Sequence, residues 1–187
     1  MKKYLLPSLM LTLVFIIICS LLYPLLIAGI AKFSRGGGKG ETLSVNGKVV
    51  GYANIGQKFT DDKYFWSRPS AAAYNAAGSS GSNKGPTNPD YLADVKAHID
   101  TFLAHNPTVK KEDIPADLVT YSASGLDPDI SPAAAYIQVD RIAAVRKISK
   151  DKIIALIDTS IEKPLLNSIG VAHINVLKLN IALDELK

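Results

Sequence analysis

The stretch Ser122-Ala123-Ser124-Gly125-Leu126-Asp127-Pro128-Asp129 sets two hydroxyls and two carboxylates close together, the residue types of nucleophilic or metal-assisted chemistry. A nucleophile elbow needs Gly-x-Ser-x-Gly, yet Thr120 stands two before Ser122 and Ser122 two before Ser124, where glycine is required. Asp127 and Asp129 are too few for a calcium loop, which alternates several oxygen ligands and finishes with glutamate. The run Gly36-Gly37-Gly38-Lys39-Gly40 resembles a phosphate loop only superficially: Phe33 occupies the first glycine position, and Gly40 follows Lys39 where Ser or Thr is needed. His98 and His105 stand seven apart rather than at the four-residue spacing of a helical zinc pair, and only His173 remains as a third ligand. The lone Cys19 makes an intramolecular disulfide impossible and leaves no cysteine cluster for a metal. These residues read as turn formers and solvated or core histidines, and no catalytic residue or metal ligand is assigned. The remaining enzymatic alternative is a membrane-anchored extracytoplasmic hydrolase using Ser124.

The elements that hold these residues begin with an apolar stretch. From Leu5 to Ile30 no side chain is charged, and a helix of that length reaches about 39 Å, more than the ~30 Å hydrocarbon core. A cleaved signal has a shorter apolar region and an A-x-A-like site, which Ala28-Gly29-Ile30-Ala31 does not supply, so a retained anchor is expected. Within the span Pro24 removes a backbone donor and can bend the helix, and Gly29 allows a neighbouring helix to approach closely, features that a simple anchor also tolerates. Lys2 and Lys3 precede the span while Lys32, Arg35 and Lys39 follow it, so counting charges leaves its orientation open.

The chain has 187 residues and a formal charge of +4, half of it from Lys2 and Lys3. The near-neutral remainder lacks the basic stripe of a nucleic-acid binder. Residues 1–31 are therefore expected to form the N-terminus and transmembrane helix, 32–40 a Gly-rich flexible linker, and 41–187 one domain large enough to bury its own core.

That domain reads as helix-rich α+β with a small sheet. Val45-Asn46-Gly47 predicts a type I′ hairpin resumed by Val49-Val50. Phe59, Tyr64, Phe65 and Trp66 are expected in the core, with Arg68 beside them free to stack or pair with a carboxylate. Asn88 caps a helix opening on Pro89, with Leu92, Val95, Ile99, Phe102 and Leu103 on one face. Pro115–Thr120 reads as a short strand. Ser131-Pro132 opens a helix through about Lys147, on which Gln138 and Arg141 share a face, and Arg141 could pair with Asp127. Ser149 begins an amphipathic helix carrying Ile153, Ile157 and Ile161; Ile174 and Val176 suggest a strand, and Leu179–Leu186 a terminal helix.

Several ordered motifs now point one way. Tyr23-Pro24-Leu25 with Gly29-Ile30-Ala31, Gly56-Gln57-x-Phe59, Tyr64-Phe65-Trp66-x-Arg68-Pro69-Ser70 and Ser80-Gly81-Ser82-Asn83 are followed by Asn88-Pro89 and Asp117-Leu118-Val119-Thr120. Then come Ser122-x-Ser124-Gly125-Leu126-Asp127-Pro128-x-Ile130-Ser131-Pro132, Gln138-x-x-Arg141 and Asn175-Val176-Leu177-x-Leu179-Asn180-x-Ala182-Leu183-Asp184. Over nearly its whole length the chain resembles the C subunit of the Kdp-type potassium-transporting ATPase. It departs from the family at His173, where arginine is frequent, and at Lys178, where glutamate is usual.

The resemblance implies a non-catalytic accessory subunit of a high-affinity, ATP-driven potassium uptake complex in the cell membrane. Its N-terminus would be cytoplasmic and its C-terminal domain extracytoplasmic. The implied partners are a potassium-selective channel-like subunit, a P-type ATP-hydrolysing subunit, a small membrane peptide and the lipid bilayer, with no nucleic acid. The implied roles are assembly or stability of the complex and that of a catalytic chaperone raising ATP affinity. ATP and potassium are handled by the complex, and no cofactor is assigned to this chain. The positions expected to contact partners or organise the domain are Tyr23, Pro24, Gly29, Arg68, Ser80, Ser82, Asn83, Ser122, Ser124, Asp127, Gln138 and Arg141.

Overall fold

In the computed structural model, which describes residues 2–164 and 169–186, the apolar stretch is helical throughout. α1 (Lys2–Ile17) runs through a π-helical turn (Ile18–Leu22) into α2 (Tyr23–Ala31). The π turn has a local cause. Pro24 has no N–H and its ring crowds the carbonyl four residues back, and the widened turn, in which Tyr23 N–H bonds Ile18 O, relieves that conflict without ending the helix. The hydroxyls of Ser8 and Thr12 bond Leu5 O and Ser8 O of their own helix (2.9 and 2.8 Å). With a mean hydropathy of 2.7 over its most apolar window, Lys3–Ala31 is long and apolar enough to cross a membrane. The chain divides into two compact units, one up to Thr42 and the other from Leu43 onward.

A hairpin follows, β1 (Thr42–Val45) and β2 (Lys48–Tyr52), all but Thr42 in the second unit, and Asn46 and Gly47 at φ 51° and 76° adopt the left-handed pair that a type I′ turn demands. α3 (Pro89–His105) starts where Asn88 accepts the Tyr91 N–H. Phe102 is fully buried on it, with Val95 and Ile99 packed beside, whereas Leu92 is exposed. A second two-stranded sheet pairs β3 (Asp129–Ile130) antiparallel with β4 (Ile174–Asn175), Asp129 opposite Asn175. α6 (Lys150–Ser160) and α7 (Val176–Glu185) pack against it and against each other, and α4 (Pro132–Tyr136) and α5 (Val139–Arg146) pack on α6. Ile142, Ile153, Ile157, Ile174, Leu179, Leu183 and Phe65 are inaccessible at the centre. The fold is α+β, helix-rich with small sheets.

Three elements differ from the sequence reading. Pro115–Thr120 is not a strand: Ala116–Leu118 is a 3₁₀ turn, because Asp117 is drawn toward Ser131, accepting its N–H at 2.7 Å. The helix expected from Pro132 to Lys147 breaks into α4 and α5 at Ile137–Gln138, where Gln138 Nε2 bonds back to Ala134 O at 2.9 Å and Lys147 terminates α5 at φ 58°. The last strand stops at Asn175, whose side chain caps the next helix by accepting the Lys178 N–H, so Val176 starts α7 rather than extending the strand.

Candidate functional site

Two polar assemblies organise the second unit, and both grip the segment 61–74. In the first, Gln138 at the N-cap of α5 and Arg141 in its first turn, both nearly inaccessible, reach the chain at Asp62–Trp66. Arg141 Nη2 donates to Gln138 Oε1 at 2.7 Å, Nε to Asn106 Oδ1 at 3.0 Å, and Nη1 to the carbonyls of Asp62 and Tyr64 at 2.5 and 3.0 Å. Gln138 Oε1 also accepts the Trp66 N–H at 2.8 Å. From α7, Asn180 exchanges two bonds with the backbone of Phe65, as a neighbouring strand would. The guanidinium of Arg141 stacks over Trp66, 4.8 Å from the ring centre. Burial pushes Arg141 down to about 10, with Asp62 and Asp61 pulling the other way, so it stays charged at neutral pH.

In the second assembly, two serine-rich loops close on each other. Ser70 Oγ donates to Gly125 O at 2.6 Å, while Ser79 Oγ and Ser80 N both donate to Ser124 O at 2.9 Å. Ser122 Oγ accepts the Gly125 N–H and Ser124 Oγ the Leu126 N–H, holding the turn from within. Gly125 sits at φ 67°, and a Cβ there would stand 2.7 Å from both Ala72 Cβ and Ser80 O. Arg68 closes the assembly: Nη1 bonds Asp127 Oδ2 at 2.9 Å and Nη2 approaches Tyr121 O at 3.4 Å, while Nε is buried without a partner among the described residues. Tyr74 donates its hydroxyl to Arg68 O, and burial pushes that phenol up to about 12. Beneath Arg68 lies an aromatic-walled cleft of about 440 Å³ bounded by Phe59, Trp66, Tyr74, His98, Phe102 and Tyr121.

The structure therefore sorts the residues singled out in the sequence. Arg68, Ser122, Ser124 and Asp127 come together in the loop assembly, and Gln138 and Arg141 in the buried clamp. The suggested Arg141–Asp127 pair does not form, because Arg141 points into the interior toward Asn106 while Arg68 takes Asp127. Ser80 and Asn83 are exposed and Ser82 is half-buried; the Ser80 contact to Ser124 is made by its backbone. Tyr23, Pro24 and Gly29 lie on the exposed surface of α2, with nothing within 4 Å of a Cβ built on Gly29. The hydroxyl of Ser124 bonds no histidine: His98 bonds Val119 O, His105 bonds Asp62, and His173 bonds Val171 O. Asn106 escaped the sequence reading although it is 2% exposed and holds Arg141; its only local signal is a polar residue just past the last turn of α3.

The family model described as K+-transporting ATPase, c chain, matches residues 5–185. The chain belongs to this family. A Potassium-transporting ATPase KdpC subunit of Flavobacterium psychrophilum is 57% identical over 185 residues, covering 99% of this chain and 100% of the relative. One from Bacteroides fragilis is 54% identical over 190 residues (99% and 98% covered), and one from Caldanaerobacter subterraneus is 46% identical over 175 residues (93% and 91% covered). His173 and Lys178 face a common carboxylate, Glu162. Lys178 Nζ lies 2.9 Å from Glu162, and His173 Nε2 lies 3.7 Å from Glu162 and 3.9 Å from Asp129.

Burial raises the Asp129 carboxyl above its ordinary range; His173 opposes this, and Asp127 and Glu162 reinforce it. A raised carboxyl makes the folded state bind more protons than the unfolded one. Stability therefore falls as pH rises from the ordinary carboxylate range through the raised value. Asp129→Asn is expected to flatten that part of the pH–stability profile, measured by thermal unfolding. An unchanged slope would mean that Asp129 does not carry it.

Proposed function

We propose that this chain is a non-catalytic accessory subunit of an ATP-driven potassium-transporting complex, needed for its assembly and stability. The observation that carries this reading is the family match over almost the entire chain, including the apolar helix. Residues 1–31 supply the N-terminus and membrane anchor, 32–40 the connecting segment, and 41–187 an extracytoplasmic domain, with the N-terminus cytoplasmic. The partners are a potassium-selective channel-like subunit, a P-type ATP-hydrolysing subunit and a small membrane peptide. The helix packs on them through the Tyr23, Pro24 and Gly29 region, and the domain through the exposed parts of the Ser80–Asn83 and Ser122–Asp127 loops.

The chain also acts as a catalytic chaperone. An extracytoplasmic domain cannot touch cytoplasmic ATP across a ~30 Å hydrocarbon layer. Its effect on ATP affinity is therefore a coupling free energy transmitted through partner helices, typically a 5–150-fold change in apparent affinity, on the order of 1–3 kcal/mol.

Affinity purification from membranes in mild detergent tests membership: the channel-like and ATP-hydrolysing chains are expected to co-purify, and recovery of this chain alone would overturn the reading. Arg68→Ala, Asn83→Ala and Asp127→Ala are each expected to lower recovery of the intact complex. Asn83→Ala should do so at a stability cost of only about 1 kcal/mol, the strain of alanine at φ 53° on an exposed loop. Full assembly and transport in all three variants would remove these loops from the interface.

A further inference from the structure

Immediately past the last residue of α2, Ala31, the chain carries Lys32, Arg35 and Lys39, with no acidic residue before Glu41. All three cations are exposed, and among the described residues no ion pair joins any of them to a carboxylate. The glycine run between them is folded rather than extended. Ser34 N bonds Ala31 O at 3.0 Å, Gly37 N bonds Ser34 O at 2.9 Å, and Lys39 N bonds Gly36 O at 3.1 Å. Gly36, Gly37, Gly38 and Gly40 all adopt positive φ, and a Cβ on Gly36 would stand 2.2 Å from Gly40 O, so a side chain there would prevent the closure. These turns gather the cations at one end of the helix.

Three features say what they meet. Lys/Arg excess ordinarily accumulates on the cytoplasmic side of a span, yet here three cations follow its C-terminal end and two, Lys2 and Lys3, stand at its N-terminal end, against that trend in the proposed orientation. The 29-residue apolar helix is about 43 Å long against a ~30 Å hydrocarbon core, so something must set the depth and tilt of its end. Phe33, set among the cations, is 92% exposed, an aromatic ring of the kind that resides at the headgroup level.

We propose that the Lys32–Lys39 turn binds the phosphate of anionic lipid headgroups and thereby fixes the depth of the C-terminal end of the helix in the bilayer. Arg35 supplies a planar fork for two phosphate oxygens, Lys32 and Lys39 supply point charges, and all are free to turn toward the ligand. The inference rests on the reading of Lys3–Ala31 as a membrane span.

The test reconstitutes the full chain in phosphatidylcholine vesicles and compares its association with spin-labelled phosphatidylglycerol and spin-labelled phosphatidylcholine. Each cation near an anionic surface contributes on the order of five-fold to association. The wild type is therefore expected to favour phosphatidylglycerol by at least about five-fold. Lys32→Gln/Arg35→Gln/Lys39→Gln should abolish the preference, while Lys58→Gln/Lys110→Gln/Lys111→Gln should retain it. A preference that survives in the first triple variant, or is lost equally in the second, overturns the proposal. Inorganic phosphate added at constant ionic strength is expected to leave the preference intact; if it abolishes it, the turn is a free-phosphate site and the lipid assignment fails. Wild-type chain that is stripped from the vesicles by alkaline carbonate overturns the membrane-span reading and this inference with it, whereas resistant chain without lipid preference overturns this inference alone.

Discussion

Arg141→Ala is expected to lower the stability of the second unit by about 3–5 kcal/mol, the range found when one member of a buried, hydrogen-bonded charge network is removed. The size follows from what the truncation strands. Asn106 Oδ1 and the carbonyls of Asp62 and Tyr64 lose their Arg141 donors, Gln138 Oε1 keeps only Trp66 N–H, and Trp66 loses the guanidinium stacked over it. For a unit of this size the loss corresponds to a fall in unfolding temperature on the order of 10 °C. Trp66 is the only tryptophan, so its fluorescence reports directly on the disturbed segment. Arg141→Lys should recover little of the loss, because an ammonium on a flexible stem cannot reproduce donors from Nε, Nη1 and Nη2 in three directions. A lysine variant as stable as wild type would show that charge, and not the planar fork, holds Asp62–Trp66 in place.

Gly125→Val has the second-largest expected effect, about 3 kcal/mol, and acts through a different part of the same segment. A β-branched residue at φ 67° is strained in any surroundings, at roughly 1–3 kcal/mol, and here its Cβ would also press on Ala72 Cβ and Ser80 O. The cheapest relief is separation of the two serine loops, which breaks the bonds from Ser70 to Gly125 O and from Ser79 and Ser80 to Ser124 O. The variant is therefore expected to show faster amide exchange at Ser80 and Ser122 and reduced recovery with partner subunits, while the Arg141 clamp around Phe65 stays protected. Uniform loss of protection across both assemblies would mean that the loops and the clamp unfold together.

The two assemblies share a logic: both tie the irregular segment 61–74 to elements far along the chain. Tyr64 and Phe65 lie more than a hundred residues from Asp184 and Asn180, yet Tyr64 Oη bonds Asp184 Oδ2 at 2.9 Å and Phe65 is held by Asn180. A segment without regular secondary structure must satisfy its backbone groups with side chains, and buried amides and guanidinium groups are suited to it because each presents several fixed donors or acceptors. This explains why so many conspicuous polar residues of the chain serve its own fold. Among the positions singled out in the sequence, Ser80 and Asn83 and the helix surface around Tyr23, Pro24 and Gly29 face outward instead.

Local chemistry in the sequence was sufficient for the apolar helix, the Asn46-Gly47 hairpin, the Asn88 and Ser131 caps, the Val95, Ile99 and Phe102 part of the α3 face, and the apolar face of α6. Each of these depends on neighbours within a few residues: an uninterrupted apolar run, a left-handed dipeptide, a side-chain oxygen three residues before the amide it accepts. The family resemblance was legible for a different reason, since its motifs are ordered along the whole chain. Only the tertiary structure decided which arginine meets Asp127, where the helix after Pro132 breaks, and that Val176 begins a helix. Those outcomes turn on partners tens of residues away: Arg141 is drawn inward by Asn106, Gln138 is pulled off a straight helix by Trp66, and Asn175 is held by Ala53 O on one side while it caps Lys178 on the other. Periodicity records which face of an element is apolar, but it carries no information on which distant backbone group a buried polar side chain must satisfy.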